Sequence, residues 1–110
     1  SNPTPAANAD STPAIVFDCK KITLPDGKIQ IRWEYEYDDN GTPKRVCQFS
    51  DLDGENCRYL EGMLKKFEYD SIPDFDDPLV KQSFLGKSVQ IQIKQIPNGK
   101  SLARLVAVNQ

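Results

Sequence analysis

Lys28–Asp38 reads KIQIRWEYEYD, and its alternation decides the fold. Ile29, Ile31, Trp33, Tyr35 and Tyr37 occupy every second position, while Gln30, Arg32, Glu34, Glu36 and Asp38 fill the gaps. Side chains along a strand point alternately to opposite faces. This period therefore predicts a long strand with one buried face and one wet face. Turn chemistry brackets it on both sides. Pro25-Asp26-Gly27 precedes it, where proline presets φ and glycine takes a positive φ. Asp38-Asp39-Asn40-Gly41 closes it, and Asn-Gly is the preferred pair for a tight type I′ hairpin turn.

Working outward, Ala14–Leu24 reads as the first strand. Phe17 and Cys19 share a face, and Ile22 and Leu24 follow on it only if the register slips by one. A bulge near Lys20-Lys21 would give that slip and bend the strand, as a small closed barrel requires. Arg45–Phe49 is the third strand, antiparallel to the second. Leu52, Tyr59, Leu60, Met63, Leu64 and Phe67 then fall at helical spacing, with Arg58, Glu61, Lys65 and Lys66 on the other side. Ser50 or Asp53 would cap that helix, and Lys65 and Lys66 favour its negative end. Gly62 inside it predicts close approach to the sheet, since an interior glycine costs about 1 kcal/mol relative to alanine. Asp70–Pro78 is an acidic loop pinned by Phe75, and Leu79–Leu85 a short helical turn. Ser88–Ile96 alternates as cleanly as the opening stretch. Pro97-Asn98-Gly99-Lys100 is a hairpin turn, and Leu102–Val108 is the last strand. Residues 1–13 carry three prolines and no large apolar side chain, which reads as a disordered tail or linker. Residues 14–110 then form a single domain, mainly β with one helix, in the order β-β-β-α-β-β.

Composition sets limits on function. The chain has 110 residues and a net charge of −2, so no overall pull draws it to nucleic acid or an anionic membrane. The charges are unevenly placed. Residues 1–78 hold 9 Lys/Arg against 16 Asp/Glu, whereas 79–110 hold Lys81, Lys87, Lys94, Lys100 and Arg104 and no acid. Those basic strands either pair beside acidic ones or form a face for an anionic partner. Histidine is absent, which excludes Cys-His zinc sites and Ser-His-Asp or Cys-His catalysis. Cys19, Cys47 and Cys57 lack a framework spacing and read as buried free thiols, with one bridge left open; this suits a reducing, cytoplasmic compartment. No apolar run is long enough for a membrane helix, and no signal peptide is readable. The chain starts Ser-Asn-Pro without Met, which reads as a processed or fragment terminus.

No catalytic motif, metal site or cofactor site stands out. Asp51–Glu55 lacks the ligand offsets of a calcium loop. Asp70, Asp74, Asp76 and Asp77 read as a solvated loop. Gly86-Lys87-Ser88 and Gly99-Lys100-Ser101 lack the upstream glycine of a phosphate loop and open strands. Trp33 reads as core, while Tyr37, and less so Tyr35, would reach the open end of the strand as a stacking platform.

The element order, bent first strand and helix between strands three and four resemble the OB-fold, a five-stranded partly open barrel. The run FLGKSVQIQIKQIPNGKSLARLVAV is similar in style to small phage or plasmid single-stranded-DNA-binding-like proteins. The resemblance implies a non-catalytic binding module for single-stranded nucleic acid, its groove on strands two and three and the first and last hairpin loops. The matching positions here are Lys28, Arg32, Tyr37, Lys94, Lys100 and Arg104, with Lys94 and Arg104 expected opposite each other on the last hairpin. Glu34 and Glu36 on the same wet face would repel phosphates. The alternative is a protein-interaction or structural module, an acidic body with a basic end that self-associates or docks on a larger assembly. Enzymatic function ranks last, because no nucleophile–base pair is readable.

Overall fold

A computed structural model describes residues 10–53 and 57–109. Five strands close into a barrel in the spatial order β1-β2-β3-β5-β4, where β1 is Thr12–Thr23, β2 Ile29–Asp39, β3 Thr42–Asp51, β4 Ser88–Gln95 and β5 Ser101–Val108. Helix α1, Cys57–Lys66, and the short helix α2, Pro78–Phe84, lie between β3 and β4. All neighbours are antiparallel except β3 and β5, which run parallel and share the single register pair Cys47↔Leu102.

The opening stretch behaves as its period demands. Ile31, Trp33 and Tyr35 are fully buried. The Asn40-Gly41 turn sets the β2–β3 register, pairing Asp39 with Thr42. Its positive φ values, 52° and 90°, are those of a type I′ turn. The inward row of β3 is Val46, Gln48 and Ser50. Two of these are polar, and each is satisfied. The Trp33 indole Nε1 donates to Ser50 Oγ at 3.0 Å. The Tyr35 hydroxyl donates to Gln48 Oε1 at 2.7 Å, and the Leu105 amide of β5 donates to the same oxygen at 3.0 Å. A side chain thus supplies a tie across the seam where β3 and β5 share one register pair.

Trp33 is also the centre of an aromatic plug at one end of the barrel. Its ring stacks on Phe67 at 5.6 Å and meets Phe84 and Phe75 edge-on at 5.1 and 6.1 Å. Phe75 pins the acidic loop as expected, stacking on Phe84 at 5.8 Å. Asp77 caps α2, accepting from the Leu79 amide at 2.9 Å, with Pro78 at the first helical position.

Four local expectations need correction. The bulge of β1 lies between Val16 and Asp18, not at Lys20-Lys21. It turns Phe17 outward, because Val16 and Cys19 fill the inward positions opposite Tyr35 and Trp33. Ser50 belongs to β3 and bonds Trp33 rather than capping α1. Gly54–Asn56 lie outside the described residues. Gly62 approaches nothing: a Cβ built there finds no atom within 4 Å. Lastly, β1 begins within the expected tail, with Thr12 and Pro13 pairing with Ile91 and Gln90 of β4. Backbone pairing of this kind leaves no trace in composition. Residues 1–9 of the expected tail lie outside the described residues.

All three cysteines are free. Burial pushes the Cys19 thiol up to about 12, and burial likewise raises the Tyr35 hydroxyl. In the unfolded chain these groups ionise near their ordinary values, so the unfolded state releases protons first as pH rises. Their contribution to stability is full below about pH 9 and is lost above it, by about 1.4 kcal/mol per pH unit for each group in its window. Denaturant titrations across the alkaline range should show this decline. Cys19→Val should make it shallower, and an unchanged slope would show that Cys19 is not its source.

Candidate functional site

The outward rows of the sheet are built by the same register. Lys20, Arg32 and Phe49 stand side by side across β1, β2 and β3. Asp18, Glu34, Cys47, Leu102 and Lys94 form the next row, running on across β5 and β4. Ile15, Glu36 and Arg45 form a third. Three large apolar side chains lie exposed on these rows: Phe49 at 41%, Ile15 at 40% and Leu102 at 37%. The bulged Phe17 adds another ring, with the Arg45 guanidinium carbon 3.5 Å from its centroid.

A groove of about 390 Å³ follows the β3–β5 seam. Phe49, Cys47 and Arg45 line one wall, Lys100, Ser101 and Leu102 the other, with Ile96 and Glu34 at its margins. Lys100 comes from the last hairpin turn, whose Asn98 Oδ1 accepts from the Lys100 amide at 3.3 Å.

Of the two acids expected to repel phosphates on this face, Glu36 is engaged by a cation and Glu34 by none among the described residues. Glu36 pairs with Arg45 at 3.2 Å, Asp39 with Lys44 at 2.8 Å, Asp18 with Lys81 at 3.0 Å and Asp76 with Lys21 at 2.7 Å. Partial burial opposes ionisation of Asp18, but the Lys81 ammonium and the Cys19 amide outweigh it and hold the carboxyl below its usual range. Glu34 makes no ion pair with a described residue. Burial raises the Cys47 thiol, the Glu34 carboxylate adds to that rise and Arg32 opposes it, so these three share one local field. The Arg32 Nε is buried and makes no hydrogen bond to a described residue.

The expected site residues divide accordingly. Arg32 lies beside Phe49, Lys100 lines the groove, and Lys94 follows Leu102 on the same row. Lys28 is exposed at the end of the first turn, just before β2. Lys94 and Arg104 are not opposite each other: Lys94 pairs with Leu102 and Arg104 with Gln92, a two-residue difference set by the hairpin register. Arg104 donates to Gln92 Oε1 at 2.6 Å and faces α1 instead. Tyr37 sits on the inward row of β2, half-buried against the core, and does not join the cations. Sequence reasoning missed Phe49, Phe17 and Arg45. A signal for Phe49 existed: counting back from the Asn40-Gly41 turn places it opposite Arg32, on the wet face.

Among the described residues, no group of three or more potential ligands converges on a metal position. No helix there is long and apolar enough to cross a membrane. No family model matches the sequence, and no curated protein matches it.

Proposed function

We propose that the chain is a non-catalytic module that binds single-stranded nucleic acid across the outer face of β2 and β3 and along the β3–β5 groove. The observation that carries the reading is Phe49: an exposed ring flanked by Arg32 on the next strand and facing Lys100 across the groove. A ring stacks on any base, and cations beside it neutralise the phosphates on either side. A closed barrel in this strand order is compatible with an OB-like module, whose ligand lies over strands two and three between the first and last hairpin loops. Lys28 and Lys100 stand in those two loops.

Fluorescence anisotropy with an oligothymidine of about 16 nucleotides tests the reading. Binding should weaken steeply with added salt, and Phe49→Ala should cost about 1–3 kcal/mol of affinity. The absence of binding at low salt would sink it.

A second reading has its own support. Ile15 and Leu102 are aliphatic and exposed on the same face, which suits a protein partner. A concentration-dependent oligomer by sedimentation, lost in Leu102→Ser and indifferent to oligonucleotide, would favour it.

A further inference from the structure

A second groove, of about 290 Å³, lies between α1 and β5. It is lined by Arg58, Lys66 and the exposed Tyr59 from the helix and by Arg104 from the strand, together with Met63 and Leu105. No described acidic side chain lines it, in a chain whose net charge is negative. None of the three cations forms an ion pair with a described residue. Gly62 lies between Arg58 and Lys66 on the same helical stripe, because residues four apart are neighbours on a helix surface. Its presence has no packing reason: nothing lies within 4 Å of where a Cβ would be, and no positive φ requires glycine there. A glycine inside a helix is unfavourable, so the feature it provides is the open space itself.

The two grooves meet on β5. Leu102 lines the first and Arg104 the second, two residues apart on one face of the strand. That separation is about 7 Å. Gln92 holds the Arg104 guanidinium at this junction.

We infer that the α1–β5 groove is a phosphodiester-backbone site that continues the path of a single strand leaving the Phe49 groove, so that the module holds a longer strand than the β2–β3 face alone. This rests on the nucleic-acid reading above. The occupant is the phosphate backbone, because three cations line the groove against a single aromatic ring, Tyr59, which offers a stacking surface for one base at most.

Length dependence separates the two grooves. Wild type and the double variant Arg58→Gln/Lys66→Gln should bind an oligothymidine of about 6 nucleotides equally, since that length fits one groove. With a strand of about 16 nucleotides, the double variant should lose roughly tenfold in affinity. Its salt slope should be shallower by about 1.4, the contribution of two single-strand phosphate contacts. Gly62→Gln should raise the melting temperature, because glutamine favours helix, and yet weaken only the longer strand. A purely structural role for Gly62 would move both in the same direction. If the variants lose short and long strands alike, or neither, the second site is wrong while the first stands. If wild type binds no oligonucleotide, both readings fall. If the variants instead abolish self-association, the groove takes an acidic surface of a second copy and the inference is overturned.

Discussion

Trp33→Ala is expected to lower the unfolding free energy by about 3–5 kcal/mol, a large share of the roughly 5–15 kcal/mol typical of a domain. The indole is fully buried at the centre of β2, between Cys19 on β1 and Gln48 on β3. Its removal opens a cavity next to Phe67, Phe75 and Phe84, which come from the segment joining β3 to β4. Those rings are held by different stretches of chain and cannot all collapse inward. The Ser50 hydroxyl also loses its partner. Trp33→Phe keeps a ring in the stack and loses the hydrogen bond, so it should cost less, about 1–3 kcal/mol. Chemical denaturation of both variants provides the check. Equal losses would mean that the indole N–H, and not the ring volume, dominates the site.

Gln48→Leu should be nearly as damaging, at about 2–5 kcal/mol, although leucine is apolar and similar in size. The substitution leaves the Tyr35 hydroxyl and the Leu105 amide without their shared acceptor, and each unpaired buried group costs about 1–3 kcal/mol. The effect should be concentrated at the β3–β5 seam. Hydrogen exchange of the Leu105 amide should accelerate in the variant by more than its global destabilisation explains. Tyr35→Phe added to Gln48→Leu should restore part of the loss, because it removes one orphaned hydroxyl. A strictly additive double variant would show that the network is not coupled.

Much of this architecture is legible before any coordinates are seen. Clean alternation in β2 and β4, and turn residues at Pro25–Gly27, Asn40-Gly41 and Pro97–Lys100, place the strands because period and positive φ are local properties. The polar inward row of β3 is not legible. Ser50 reads as a helix-cap candidate and Gln48 has no inward signal until Trp33, Tyr35 and Leu105 are seen to satisfy them. The β1 bulge was foreseen and misplaced, because which residue leaves the ladder depends on how Val16 and Cys19 fit beside β2.

The candidate site divides along the same line. Arg32, Lys94 and Lys100 were visible as cations on wet positions of strands or in a turn. Phe49 was hidden because β3 is short of apolar contrast, although the Asn40-Gly41 register places it opposite Arg32. The meeting of Arg104 with Arg58 and Lys66 joins residues far apart in the chain, and only the packing of α1 on β5 brings them to one groove. Local periodicity and turn chemistry specify strands, faces and order, since each depends on near neighbours. The closure of the barrel, the charge balance of its outer face and the course of its grooves depend on contacts between distant segments, and those were decided by the tertiary fold alone.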